Sequence, residues 1–364
     1  MDNAARIVIS GYYGFDNIGD EAVLCTIISS LREYIPNVSI TILSNNPEKT
    51  KKTYGVQAIN RWHFGEICKS IKACDLFISG GGSLLQDITS IKTIPYYLGI
   101  VKIALHYKKK VIFYSQGVGP VNKSINKWLI KKIVNKVNHV FVRDSSSKEL
   151  LINLGVKAPI TVAADPVLGI SIDKSLVDSI KTSFEEKKTV GICLRPWHNK
   201  DQIIDSLLPH LKQLIEKGYN LYLLPMYYEQ DLNIAQEIYS QLGDNTKLIN
   251  KKLTIEETLA YTASFDFLIG MRLHSLIMAT VAATPVVALS YDPKVKAFAD
   301  EMQMQYCIDV NEISKDNIGE ALTNLIENLD TEKQRLRLAY NKKIEDVYSP
   351  VIYIKECLEE RKHE

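Results

Sequence analysis

Arg6-Ile7-Val8-Ile9-Ser10 runs directly into Gly11-Tyr12-Tyr13-Gly14-Phe15-Asp16-Asn17-Ile18-Gly19-Asp20-Glu21, and this junction decides the fold class. A short β-branched run reads as a strand buried on both faces, and the glycine-rich, acid-bearing segment after it reads as the turn into a helix. The same alternation recurs along almost the whole chain, as in parallel sheets covered by helices on both faces. Further strands are expected over residues 39–43, 76–79, 111–115, 140–142 and 160–163. A second series is expected over 189–193, 221–224, 247–249, 267–269 and 286–289. Helical spacing such as Ile203, Leu207, Leu211 and Leu214 separates them.

The chain has 364 residues, which is long for a single core and argues for about two domains. A polar stretch follows Asp165-Pro166-Val167-Leu168-Gly169 and ends in Glu185-Glu186-Lys187-Lys188. It sets an N-terminal domain at 1–172, a linker at 173–188 and a C-terminal domain at 189–364 with a helical tail. The tail is charged from Glu332 onward, and a break is expected near Ser349-Pro350. Thr254-Ile255-Glu256-Glu257 reads as a capping box.

A formal net charge of +2 is too small for a reader of nucleic-acid backbones, so any useful positive charge is local. The six cysteines are scattered with no C-x-x-C pair, as expected of reduced core thiols. The first residues show no charged leader followed by an apolar stretch, and no segment reaches the length of an apolar membrane span. The expectation is a cytoplasmic protein.

Ligands of open α/β sheets bind beyond the carboxyl ends of the strands, and the unusual segments of this sequence fall there. In the first loop Asp16, Asn17, Asp20 and Glu21 could hold sugar hydroxyls, or the segment could be an ordinary capped turn. Gly80-Gly81-Gly82-Ser83 lets backbone amides approach a ligand, with Gln86 and Asp87 close behind. It does not complete G-x-G-x-x-G, because Leu85 stands at the last glycine position, and the chain has no G-x-x-x-x-G-K-[ST]. Gln116-Gly117-Val118-Gly119-Pro120 and Arg143-Asp144 follow the next two strands.

In the second half, Gly270-Met271-Arg272-Leu273-His274-Ser275 leaves an apolar strand and enters a helix of small and apolar residues. Burying an arginine alone is costly, so Arg272 either pairs with a carboxylate inside the fold or waits for an anion. His274 in the first helical turn feels the positive end of the dipole, which keeps imidazole available for proton exchange near neutral pH; the alternative is a satisfied core histidine. Arg143 and Lys294 bring further cations to strand ends, unless they form surface salt bridges. Such a set suits a small, densely charged anion, each charge-assisted contact adding on the order of 1.5–3 kcal/mol. These residues do not choose between phosphoenolpyruvate, a sugar phosphate and a nucleotide.

The sequence resembles the polysaccharide pyruvyl transferases over about its whole length, and within them the members that act on the secondary cell-wall polymer. The resemblance rests on Gly11 to Glu21, Ser79-Gly80-Gly81-Gly82-Ser83-Leu84-Leu85-Gln86-Asp87, Ser115 to Pro120, Val142-Arg143-Asp144, Gly270 to His274 and Tyr291-Asp292-Pro293-Lys294. It implies a GT-B-like α/β fold of two Rossmann-type domains facing a central cleft, with phosphoenolpyruvate as co-substrate and neither cofactor nor metal. It implies Arg143, His274 and Lys294 as catalytic residues at the donor, with Arg272, Ser275 and Tyr291 beside them. Asp16, Asn17, Asp20, Glu21, Gly81, Gly82 and Gln86 fall to the acceptor side, and Asp16, Asp20 or Glu21 would be the base. The acceptor implied is a lipid-linked amino-sugar oligosaccharide, ketalated at the 4,6-hydroxyls of N-acetylmannosamine, so the protein would approach the inner membrane face. The stretch Lys123 to Val137 offers Ile125, Leu129, Ile133 and Val137 beside lysines for that purpose, or simply for packing. The competing readings are a nucleotide-sugar-dependent GT-B glycosyltransferase and a non-catalytic sugar-binding protein.

Overall fold

The structure is a computed structural model that describes residues 4–88, 90–184, 187–243 and 245–360. Glu185 and Glu186 of the expected linker, and the last residues of the tail, lie outside the described residues.

The first sheet contains β1 (Arg6–Ser10), β2 (Ser39–Ser44), β3 (Gln57–Asn60), β4 (Leu76–Ser79), β5 (Gly82–Leu85), β6 (Lys110–Val118), β7 (His139–Val142) and β8 (Ile160–Val162). Its order is β3-β2-β1-β4-β6-β7-β8, with β5 added beside β6, and every pairing is parallel. Ile7, Val8, Ile9 and Ser10 are all buried, as a strand covered by helices on both faces requires. The second sheet contains β9 (Thr189–Cys193), β10 (Asn220–Leu223), β11 (Thr246–Leu248), β12 (Phe267–Gly270), β13 (Val286–Ser290) and β14 (Tyr306–Asp309). Its order, β11-β10-β9-β12-β13-β14, is that of a Rossmann sheet, again wholly parallel. Ile203, Leu207, Leu211 and Leu214, all on the helix Lys200–Glu216, join its core.

Three strands lie outside the expected set. β3 and β14 are short edge strands with little or no full burial, and β5 begins inside the glycine segment. Gln116 lies within β6 rather than in a loop after it. The described residues divide into two compact units. The first comprises residues up to Asp16, then Asp20–Gly169 and the chain from Ile344 onward; the second comprises Asn17–Gly19 and Ile170–Lys343.

The tail departs from expectation in two ways. The helix Leu329–Glu360 continues through Pro350 without a break, and its residues from Ile344 belong to the first unit rather than to the C-terminal domain. Proline removes a helical hydrogen bond at a cost of about 3 kcal/mol. Here Val347, Val351, Ile354 and Cys357 are buried on one side of that same stretch and offset it. The close approach of Val347 to Gly169, where an added Cβ would lie 2.9 Å from Val347 Cγ1, marks where that stretch packs.

The helix Ser124–Val134 also differs in its buried face. Asn126, Ile130, Ile133 and Val134 are buried, whereas Ile125 is 53% exposed. The capping box at Thr254 forms as expected, with Glu257 N–H donating to Thr254 Oγ1 and Thr254 N–H donating to Glu257 Oε2. All six cysteines are unbridged.

Candidate active site

The carboxyl edge of the first sheet is built by the loop after β1, the turn after β4 and the residue that follows β3. Tyr12 and Phe15 stack face to face with centroids 4.0 Å apart, which stiffens the loop between them. Asp16 adopts φ +61° and pairs with Lys49 at 2.6 Å. Glu21 accepts from the Gly14 amide at 2.8 Å and from the Tyr54 hydroxyl at 2.7 Å, so both its oxygens hold the loop. Gln86 Oε1 accepts from the Ile88 amide. Of the acidic candidates in this loop, Asp20 is the one set against the glycine turn. A Cβ on Gly82, at φ +89°, would come within 2.9 Å of its Oδ1, and one on Gly81 would meet Val23 at 2.6 Å. Burial pushes the Tyr13 and Tyr97 hydroxyls well up; Arg61 draws Tyr97 partly back, and the charge of Asp20 adds to the rise of both.

Arg143, just after β7, is buried on this same edge. It donates to Asp165 at 3.3 Å and to Ser83 Oγ at 3.1 Å, and Asp144 lies 3.5 Å from its Nε. Gly117 leaves it room, since a Cβ there would stand 2.7 Å from the guanidinium. Asp144 in turn caps the helix Ser145–Asn153. Burial raises its carboxyl, but Arg143 and the bonds from Ser147 and Ser146 outweigh that and hold it low.

Arg61 escaped the sequence reading because it follows β3, which carries no apolar run to announce it. It is 6% exposed and enclosed by aromatic rings, with the Tyr96 centroid 4.3 Å from its guanidinium. Its Nε and Nη1 have no hydrogen-bond partner. Ser10 Oγ and the Tyr13 hydroxyl are likewise buried and unbonded, while the Tyr96 and Tyr97 hydroxyls interact with Arg61.

The carboxyl edge of the second sheet carries the other candidates. Arg272 occupies the N-cap position of the helix Leu273–Ala282, and its side chain grips Asp231 with two bonds, from Nε at 2.6 Å and Nη2 at 2.5 Å. The internal-pair alternative is therefore the one realised. Asp231 also accepts from the Tyr227 amide, which fixes it. Ser275 is buried, and its hydroxyl donates to the Arg272 carbonyl at 2.6 Å, so it serves the helix start. Gly19, grouped with this unit, lies on His274: an added Cβ would be 2.1 Å from Nδ1. Lys294 lies in the first turn of the helix Pro293–Glu301, capped by Asp292, and its Nζ is 3.5 Å from that carboxylate. Tyr291 lies under Arg195, whose guanidinium is 4.5 Å from the ring centroid, and Trp197 meets Tyr291 edge-on. Arg195 Nε is buried without a partner. The segment Arg195-Pro196-Trp197-His198 is visible in the sequence at a strand end, but nothing there singles out Arg195.

The sequence profile of the polysaccharide pyruvyl transferases matches residues 17–293. The chain belongs to that family. Membership makes it a transferase of polysaccharide biosynthesis. It is 21% identical to the amylovoran biosynthesis protein AmsJ of Erwinia amylovora, over 92% of this chain and 95% of that protein. Among solved structures, a putative UDP-N-acetylglucosamine 2-epimerase from Listeria monocytogenes aligns with TM-score 0.71 at 11% identity, covering 98% of each chain. HepE of Anabaena in complex with UDP-glucose aligns with TM-score 0.66 at 14% identity, over 96% of this chain and 98% of HepE. These likenesses establish a GT-B-like fold for this polysaccharide pyruvyl transferase family member. Among its described residues, no helix is long and apolar enough to cross a membrane.

Proposed function

We propose that the protein transfers a pyruvyl group from phosphoenolpyruvate to a sugar diol, forming a cyclic ketal and releasing phosphate. The family match over residues 17–293 carries the reading. The titratable and cationic groups at the second sheet's carboxyl edge support it. His274 delivers a proton to C3 of the enol, C2 gains positive character, and one sugar hydroxyl adds there. Phosphate then leaves with the C2–O bond electrons, and the second hydroxyl closes the ring. Lys294 and Arg195 neutralise the donor, Arg272, Ser275 and Tyr291 shape its surroundings, and no cofactor or metal is required. Arg143 is the first unit's catalytic cation in this reading, although its pairing with Asp165 already offsets part of its charge. Asp20, set against the glycine turn at Gly82, is the acceptor-side base.

The acceptor in this reading is a lipid-linked amino-sugar oligosaccharide carrying N-acetylmannosamine. The protein then works in the cytoplasm with peripheral contact to the inner membrane face. The helix Ser124–Val134 suits that contact through its outer face: Trp128 is 51% exposed beside Ile125, and Lys132 stands 4.4 Å over the indole. Purified protein with phosphoenolpyruvate and a panel of N-acetylhexosamine disaccharides should yield inorganic phosphate and a sugar with the added pyruvyl mass. His274→Ala should slow this on the order of 10²–10⁴-fold with an unchanged melting temperature. Release of a nucleoside diphosphate from a nucleotide sugar, with phosphoenolpyruvate untouched, would replace this reading with a glycosyltransferase; saturable sugar binding with no donor consumed would replace it with a binding protein. Exchanging Trp128 and Lys132 for alanine should abolish pelleting with anionic vesicles, and undiminished pelleting removes the membrane contact.

A further inference from the structure

Arg61 is the least explained charge of the first unit. Its main chain is pinned on both sides, the amide donating to Ser44 O and the carbonyl accepting from the Tyr96 hydroxyl, each at 2.9 Å. The side chain therefore enters the aromatic enclosure in a fixed direction. Phe15, Trp62 and Tyr97 surround the guanidinium at 5.2, 5.3 and 5.5 Å in addition to Tyr96. Ring faces attract a cation but give in-plane N–H groups no acceptor, and although Arg61 also interacts with the Tyr96 and Tyr97 hydroxyls, its Nε and Nη1 stay unbonded. Among the described residues no carboxylate pairs with Arg61, while the nearby acids Asp16 and Glu21 are committed elsewhere. A buried arginine with unbonded donors is normally supplied with an oxyanion.

The surroundings say what carries that oxyanion. Tyr97 and Tyr13 both feel the charge of Asp20, so the phenols, the carboxylate and Arg61 belong to one neighbourhood at the strand ends. The unbonded Ser10 and Tyr13 hydroxyls there match the hydroxyls of a sugar. Trp62, 56% exposed and tilted onto Tyr96 with centroids 4.9 Å apart, offers at its rim the flat apolar surface on which a pyranose ring lies.

We propose that Arg61 is the anion-recognition residue of a saccharide subsite, taking the phosphate or carboxylate of an acidic sugar whose ring rests on Trp62. The proposal rests on the reading of the chain as a sugar-modifying transferase and gives its acceptor a negative charge close to the sugar. Binding is measured on the full chain without phosphoenolpyruvate, so it is read independently of pyruvyl transfer. The probes are N-acetylglucosamine 1-phosphate, glucuronic acid, neutral N-acetylglucosamine and inorganic phosphate. At least one acidic sugar should bind about 10- to 100-fold more tightly than the neutral sugar. The preferred probe tells phosphate from carboxylate. Arg61→Met should erase the preference, Arg61→Lys should keep part of it, and Trp62→Ala should weaken both sugar classes. Equal affinity for neutral and acidic sugars overturns the proposal, as does inorganic phosphate binding as tightly as the sugar phosphate. Should Arg61→Met fail to fold, an undiminished preference in both Arg61→Lys and Trp62→Ala overturns it as well. Intact acidic-sugar binding with no ketal formed under any donor would leave this site standing and remove the pyruvyl reading alone.

Discussion

Two largely buried arginines, one at the carboxyl edge of each sheet, are satisfied in opposite ways. On the second sheet, Arg272 is matched by Asp231 through a two-bond fork, and Asp231 is itself fixed by the Tyr227 amide. On the first, Arg61 is as deeply placed but has rings around it and no carboxylate. A matched charge is part of the architecture, because each partner satisfies the other and neither can leave. An unmatched one stores an interaction that a ligand can complete.

The comparison is broken most directly by stability. Asp231→Ala strands Arg272 in a site where its side chain is only 14% exposed, and should cost about 3–5 kcal/mol in urea unfolding of the second unit. Arg61→Met removes a charge that no carboxylate balances and forfeits its ring and tyrosine-hydroxyl contacts, so it should cost no more than about 1–2 kcal/mol. Similar losses at the two sites would show that the aromatic enclosure satisfies Arg61 as fully as a carboxylate satisfies Arg272.

A second test concerns placement rather than charge. Gly19 is the residue on which His274 rests, and a methyl group there would overlap the imidazole. Gly19→Ala must shift the ring or the chain beside it, and a displacement near 1 Å at a proton donor costs roughly 10²-fold. The loss should appear in kcat more than in KM. An unchanged kcat would remove His274 from the proton-transfer role and leave it a packing residue.

How much of this was readable in the sequence follows burial. Thr189–Cys193 and Arg6–Ser10 announce themselves because strands covered on both faces are continuous apolar runs. β3 and β14 do not, because edge strands half in solvent carry Gln57, Asn60 or Asp309 without penalty. Arg61 was missed along with β3, since a residue at a strand end is recognised only once the strand is. Pro350 misled for the opposite reason: a local rule was overruled by Val347, Val351 and Ile354, whose burial only the folded tail reveals. Arg272 was recognised as needing a partner, but Asp231, forty-one positions earlier, becomes that partner only when β10 and β12 flank β9 in the sheet.

The smallest expected effect lies in the first unit, away from both edges. His139 opens β7, shares a hydrogen bond of 2.9 Å between Nε2 and Thr161 Oγ1, stacks on Phe141 with centroids 4.3 Å apart, and meets Tyr353 of the tail helix. Burial lowers its pKa below the ordinary histidine value of 6.5. As pH falls through 6.5 the unfolded chain takes up a proton before the folded one does. The unfolded state then binds more protons, and stability declines with falling pH until the folded pKa is passed. His139→Phe should flatten that part of the stability-versus-pH curve, leave the slope at lower pH to carboxylates such as Asp144, and leave stability at neutral pH nearly unchanged. If the slope survives the substitution, another group carries it, and the contact between the tail helix and β7 is insensitive to this imidazole.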